Sequence, residues 1–538
     1  MVDTVPILTL VPPLIAIGLV VATRKVLLSL GLGVVAAALL IEGFSPWGTV
    51  TQVLGAFAEI FWVDGAVNTT KVYILVFTLM LGVITALIMM SGGTRAFADW
   101  AQTKIRTRRG ATLLPAGLGV AIFVDDYFNA LAVGQVSRPV TDTHRVSRAK
   151  LAYLVDSTSA PVAVLAPFSS WGAFILGLIG TEVAASSLDL SEIAAFLQAA
   201  GANYYAFAAL LLVAFVAVLQ LDLGAMRAEE RRAILEGRCF DESDDIPGQL
   251  AQDLPVHRPG AKLALIVPFV LLVVGVLGGI VWTGQRAAGS WSAVDILAST
   301  DVTFALIIGG VLGLAAALYY YVRDTSENPR FGTSTLGRGW LEGVKSMMPA
   351  VSILVLAWML GALIEELGTG EYLAGLIEGS ALSPSWLVPI VFLLAASMAF
   401  ATGTSWGSFG LLIPLAGGII NSLDAPELLL PALGAVLAGA VAGDHASPIS
   451  DTTILSATGA GCNVITHVTT QLPYMGLAVV ASTLGYVAVA LGGTATAGLA
   501  VTLVTTGSLA LIAIKVWGPV VDDADMPQRQ GTGTASGA

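Results

Sequence analysis

The sequence predicts an all-α, polytopic membrane protein organised as an inverted-topology repeat with two re-entrant hairpins and two broken helices. Three observations carry that expectation. The 538 residues are 56% hydrophobic and only 12% charged, with a mean hydropathy of +0.84. They offer repeated apolar stretches of about 20 residues, the length a helix needs to cross about 30 Å of hydrocarbon. Lysine and arginine gather in alternate loops, which orients the spans. Several apolar stretches are interrupted by Asp, Asn, Ser and Thr, and irregular polar chain survives at membrane depth only where protein buries it or water lines it.

Residues 6–22 form the first stretch. Neither a basic n-region before it nor a clear cleavage site after it is present, so a retained span is expected rather than a signal peptide. Arg24 and Lys25 follow, and Arg95, Lys104, Arg106, Arg108 and Arg109 follow the third span. The positive-inside rule places both loops in the cytoplasm and the N-terminus outside. Residues 111–135 come next, with Arg138, Arg145, Arg148 and Lys150 beyond them. Both flanks are basic, and 25 residues cannot cross about 30 Å twice, so this piece reads as a cytoplasmic re-entrant hairpin. Asp125, Asp126, Tyr127, Phe128 and Asn129 fall near its tip.

A span at 151–181 is interrupted at 156–161, and a span at 203–222 returns the chain to the cytoplasm, where the charged loop 223–260 lies. Spans at 261–283 and 302–322 lead to Arg323, Arg330, Arg338 and Lys345, and residues 346–366 exit again. Residues 386–420 are apolar with a polar interruption at 402–408 and no basic flank, which reads as a hairpin open to the outside. Residues 428–460 form a span broken at 443–451, and helices at 474–492 and 497–517 end at a cytoplasmic C-terminus. The divisions are therefore 1–222 (first transmembrane repeat), 223–260 (cytoplasmic charged loop), 261–493 (second, inverted repeat) and 494–538 (final transmembrane helix and acidic tail). Inverted repeats whose hairpins and broken helices meet near the midplane are the architecture of many secondary transporters. Alternating access in a cell membrane is the expected mode, and an enzyme is not expected.

The polar breaks define the chemistry. Sodium is a hard cation that takes oxygen ligands from carboxylates, hydroxyls, carboxamides and free backbone carbonyls. In the first half these are Asp125, Asp126 and Asn129 with Asp156, Ser157, Thr158 and Ser159; in the second, Thr402, Thr404, Ser405 and Ser408 with Asp444, Ser447, Ser450, Asp451, Thr452 and Thr453. Pro161 and Pro448 lack an N–H and disfavour helix in the residue before them, which helps free nearby carbonyls. A buried carboxylate binds either a proton or a cation, and that competition is antiport. Asp156, Asp444 and Asp451 are placed for such exchange, with His445 able to tune them. His467 and Gln471 are expected near the cytoplasmic mouth, and Trp171 and Trp406 as core packing or pocket walls.

Other classes fit less well. Cys239 and Cys462 show no metal or disulfide spacing, and no cofactor is implied. A net charge of −12 argues against nucleic acid as a partner, while the acidic loop and the preference for arginine over lysine resemble a high-salt composition. An intramembrane aspartyl protease would also use paired aspartates, but Val441 stands where its Gly-x-Gly-Asp motif needs glycine. A passive cation channel would not need titratable carboxylates in two inverted halves. The partners expected are sodium ions, protons and the lipid bilayer, and a homodimer is compatible with this reading.

The chain resembles the NhaC-type sodium/proton antiporters of the ion transporter superfamily. The resemblance rests on Phe-Val-Asp-Asp-Tyr at 123–127, Asp-Ser-Thr-Ser-Ala-Pro at 156–161, Ala-Thr-Gly-Thr-Ser-Trp-Gly at 401–407 and Gly-Asp-His-Ala-Ser-Pro-Ile-Ser-Asp-Thr-Thr at 443–453. It continues through 459–473 and spans about 70–490. It implies sodium extrusion driven by proton entry. The same superfamily includes exchangers of organic substrates such as malate for lactate, and relatives proposed to carry amino acids. A basic side chain in the core would favour those, and none falls in the predicted breaks.

Overall fold

A computed structural model describes residues 6–23, 25–63, 65–123, 126–167, 169–241, 254–292, 295–296, 299–369, 372, 384–423, 425–518 and 520. A 3-10 turn at Pro6–Leu10 opens the described chain. It leads into α1 (Val11–Thr23), α2 (Val26–Ile41), α3 (Pro46–Phe61), a two-residue β-hairpin, and α4 (Thr69–Met90). Then come α5 (Gly93–Lys104), α6 (Arg108–Ala121), α7 (Asp126–Thr143), α8 (Arg148–Ala163), α9 (Ser170–Ala184), α10 (Glu192–Gly201), α11 (Tyr204–Leu219) and α12 (Ala225–Glu236). The rest is α13 (Leu263–Ala288), α14 (Val302–Thr325), α15 (Thr333–Glu366), α16 (Leu387–Thr402), α17 (Ser405–Ser422), α18 (Pro426–Ala446), α19 (Asp451–Ala460), α20 (Val464–Ala490) and α21 (Ala495–Trp517). Among the described residues, eight helices are long and apolar enough to cross a membrane, or nine if α10 and α11, bent by 55°, form one span. The protein is an all-α, multi-pass membrane protein.

The helices sort into two bundles. One packs α4 against α14 and α15, α13 against α14, and α2 against α1, α3 and α15. The other gathers α6 to α11 with α16 to α21, and here the hairpin α6–α7 packs on α8 and α19 while α16 lies along α18. Helix α5 bridges them, and α15 touches the second bundle mainly through α19.

Helix restarts explain where the polar interruptions fall. Helix α9 starts behind Ser169, whose hydroxyl accepts from the Gly172 N–H; Thr404 caps α17 by accepting from Trp406 N–H, and Ser450 caps α19 by accepting from Thr453 N–H. Such caps satisfy N–H groups that hydrocarbon would leave unbonded. The break before α17 turns on Gly403, whose φ of +72° would strain any residue with a Cβ.

Three sequence expectations are corrected. Residues 156–161 are not unwound: they lie inside α8, and the chain leaves the helix at 164–169. Pro161 sits in the last turn, where it removes only the bond to the Ser157 carbonyl, so helix formation continues past it. Likewise α20 begins at Val464 rather than 474, because Asn463 caps it and Pro473 is carried in its interior. The charged segment 223–260 is also not all loop, since α12 forms from its first third; residues 242–253 and the tail from 521 lie outside the described residues.

Helix α12 is held by a buried ionic cluster. The Lys150 ammonium is 2.7 Å from both Asp222 and Glu230, Arg108 pairs with Glu230, and the Ser147 N–H donates to Glu230 at 2.7 Å. Lys150 and Glu230 are fully buried. Burial alone would raise the Glu230 carboxyl, but Lys150, Arg108 and the Ser147 N–H outweigh it and hold it down to about 2. Burial pushes Asp222 up to about 6 against the pull of Lys150. Because Glu230 is depressed in the folded state, its stabilisation is present above its unfolded value near 4.5 and is lost as pH falls toward 2. Glu230→Gln is expected to lower thermal stability at pH 7 by the equivalent of about 3–5 kcal/mol, since it leaves the buried Lys150 with Asp222 alone as its counter-charge and removes the partner of Arg108. The gap to wild type, followed by size-exclusion thermal melts, should narrow below about pH 4.5.

Candidate functional site

The starts of α7 and α19, the end of α18 and the middle of α8 bring carboxylates together in the second bundle. Asp156, Asp444, His445, Asp451 and Asp126 are each at most 6% exposed. Placing such groups away from water is costly unless donors answer them. Asp156, midway along α8, receives Ser456 Oγ at 3.1 Å on one oxygen and Gln471 Nε2 at 2.7 Å on the other, with His467 Nε2 at 3.2 Å from that second oxygen. Gln471 also donates to the His445 carbonyl at 2.8 Å, and His445 Nδ1 lies 3.2 Å from Tyr205 Oη. These bonds tie α8, α18, α19 and α20 into one knot.

Asp444 sits in the last turn of α18. Its Oδ2 accepts from Ser405 Oγ at 3.1 Å and Thr452 Oγ1 at 3.3 Å, which joins the starts of α17 and α19 to α18. Thr452 Oγ1 lies 2.9 Å from Ser450 Oγ. Among the described residues, Asp444 Oδ1, Asn129 Oδ1, Thr453 Oγ1, Ser408 Oγ and His445 Nε2 are buried without a hydrogen-bond partner. Four of those five atoms are oxygens with lone pairs to offer a hard cation.

Asp451 starts α19. Its Oδ1 caps the Thr452 N–H at 2.8 Å, and its Oδ2 accepts from Tyr127 Oη at 2.5 Å and from Trp358 Nε1 at 3.3 Å. Asp126 accepts from Trp171 Nε1 at 2.9 Å. Asp126, Tyr127 and Asp451 line a cavity of about 1230 Å³ that extends to the first turns of α4 and α14, where Lys71 and Asp301 line it.

The remaining predicted ligands divide. Asn129 donates to the carbonyls of Gly119, Ile122 and Thr158, at 2.6, 2.8 and 3.4 Å, and so bonds the two arms of the hairpin to α8. Gly119 lets α6 approach Thr158 closely: a Cβ there would lie 2.6 Å from the Thr158 Cβ. Thr158 Oγ1 bonds back to Leu154 O, Ser159 Oγ to Asp156 O, Thr402 Oγ1 to Met398 O and Ser447 Oγ to Phe400 O, so these hydroxyls stitch backbone as well as carry lone pairs. Ser157 is buried on α8 beside Asp156. Asp125 lies outside the described residues. His467 and Gln471 are not at a mouth: both are at most 1% exposed and bonded to Asp156, since α20 begins ten residues earlier than expected and carries them inward. Trp171 and Trp406 pack edge-on, 5.6 Å apart. Trp358 and Lys71 escaped sequence reasoning because each sits in an unbroken apolar span; a lone indole or ammonium there was the available signal.

The model described as Na+/H+ antiporter family matches residues 162–491. The chain belongs to the Na+/H+ antiporter family. It is 40% identical over 504 residues to an uncharacterized protein of Haemophilus influenzae, a match covering 92% of this chain and 93% of the relative. An uncharacterized Na+/H+ antiporter of the same organism is 33% identical over 176 residues, 29% of this chain and 36% of the relative. The malate-2H+/Na+-lactate antiporter of Bacillus subtilis is 34% identical over 139 residues, 24% of this chain and 28% of the relative. As a Na+/H+ antiporter family member the chain is a secondary transporter and not an enzyme. The family match takes in Trp358, Asp444, Asp451 and the α20 pair His467 and Gln471; Asp126, Asn129 and Asp156 precede it.

Proposed function

We propose that the protein exchanges sodium for protons by alternating access, with cation and proton competing for Asp156, Asp444 and Asp451. The observation that carries the reading is the buried oxygen cluster at the breaks, where Asp444 meets Ser405 and Thr452 and keeps one carboxylate oxygen without a protein donor. Charged oxygens kept at membrane depth default to an ion path. Ser408, Ser450, Thr453, Thr402, Thr404 and Ser447 supply further oxygens, and Asp126, Asn129, Ser157, Thr158 and Ser159 do so from the first half. His445 tunes the cluster through its buried imidazole, whose Nδ1 lies 3.2 Å from Tyr205 Oη.

The basic face, with Arg108, Arg109, Arg148 and Lys150, is cytoplasmic in this reading, and the cavity opens outside. The second half then enters the membrane inverted relative to the first.

Asp444→Asn is expected to reduce pH-driven sodium exchange in proteoliposomes to background while leaving elution on size exclusion unchanged, because the amide is nearly isosteric but neither attracts a cation nor carries the exchanged proton. Wild-type exchange in that variant would end the assignment. A cysteine in place of Arg109 should react with impermeant thiol reagents only from the cytoplasm; external labelling would reverse the orientation.

One observation favours a second reading, transport of an organic carboxylate with the cation. Lys71 lines the cavity, its ammonium 6.0 Å from the centre of the Trp358 ring, and Trp406 lines it too. A malate-2H+/Na+-lactate antiporter is among the relatives. On this reading, concentration jumps of malate or lactate evoke currents on solid-supported membranes that Lys71→Gln removes while sodium/proton exchange persists. No current from either acid in the wild type would dismiss it.

A further inference from the structure

The two bundles meet beside the candidate ion site where α15 packs on α19. Trp358 belongs to α15 of the first bundle, and its indole Nε1 donates to Asp451 Oδ2 of α19, in the second, at 3.3 Å. The same oxygen accepts from Tyr127 Oη, which belongs to Asp451's own bundle. Trp358 is therefore the donor that the opposite bundle lends to a candidate ion carboxylate. Lys71, also of the first bundle, stands 6.0 Å from the Trp358 ring centre, on the cavity side.

An indole N–H only donates, and a carboxylate offers about four lone-pair positions in all. Asp451 already commits one oxygen to the Thr452 N–H and the other to two donors. A cation that takes a lone pair on Oδ2 competes with the indole and repels its positive N–H edge. Movement of one bundle past the other also breaks the bond, because the donor stays behind on α15 while the acceptor travels with α19. The bond thus belongs to the cavity-open arrangement, and it is strongest while Asp451 holds no cation.

We infer that Trp358 is a positioning residue that latches the second bundle in the cavity-open arrangement until Asp451 is loaded, so that the empty carrier does not return. The inference rests on the antiport reading only for the identity of the cation; the latch itself concerns the docking of the two bundles.

The test replaces Cys239 and Cys462 with serine and places one cysteine at Gly407, which lines the cavity wall and has open space where a side chain would go. Labelling rates with an impermeant maleimide are measured in right-side-out and inside-out vesicles, in sodium-free potassium-free buffer and with added sodium. Trp358→Phe keeps a ring but removes the donor, and should lower the ratio of cavity-open to closed protein, read as the ratio of labelling rates from the two faces, by on the order of tenfold in sodium-free buffer, the equilibrium change expected for one lost hydrogen bond to a charged group. Trp358→His restores a ring N–H and should recover most of the ratio. Trp358→Met is a second donor-free variant for the same comparison if the Phe protein is not monodisperse. Equal sodium-free ratios in wild type and the donor-free variant would overturn the latch. A donor-dependent ratio that sodium leaves unchanged would overturn release by sodium while the latch stands, which separates this result from failure of the antiport reading.

Discussion

Charged oxygens buried among helices must be answered by donors, and at the centre of this molecule the donors come from other helices. Asp156 takes them from α19 and α20, Asp444 from α17 and α19, Asp451 from α7 and α15, and Asp126 from α9. Each carboxylate is thereby a joint between helices distant in sequence. Leaving any of them unanswered would cost several kcal/mol, so the arrangement of the second bundle is set as much by polar satisfaction as by apolar packing. Apolar packing cannot choose one register of greasy helices over another as sharply, because lipid is as apolar as leucine.

The same constraint separates groups that hold the fold from groups with capacity to spare. Thr404 and Ser450 spend their oxygens on helix starts, and Asn129 spends its amide on three carbonyls. Asp444 keeps one oxygen free of protein donors, as do Asn129 and Thr453. The proposed ion path rests on that leftover capacity rather than on polarity as such.

Much of this was legible in the sequence where local chemistry dictates the chain. Pro448, between Asp444 and Asp451, falls at the break between α18 and α19, and the chain turns at Gly403 inside the expected interruption at 402–408, although α17 runs on to Ser422, past the expected limit at 420. Asp156–Pro161 misled because a proline in a last helical turn ends nothing by itself; the exit needed Pro167 and the Ser169 cap a turn later. The convergence on Asp156 of His467 and Gln471, more than 300 residues away, carries no local signal, and neither does the reach of Trp358 to Asp451. Helix α12 was hidden within a charged stretch whose net polarity masked the buried face that Met226, Glu230, Ala233 and Ile234 present.

That face has a mechanical meaning. Arg108 opens the hairpin and Lys150 opens α8, and both are fastened to Glu230 on α12, with Asp222 completing the cluster. Prising the hairpin from α8 at this end would expose or strand buried charge, at a cost of several kcal/mol. At this end the hairpin and α8 are therefore fastened to each other through Glu230 of α12. A carrier with two independent doors leaks whenever both stand ajar; under the alternating access proposed above, a hairpin bolted in this way changes faces together with α8 in a single movement, and tightness follows from having too few moving parts to fail.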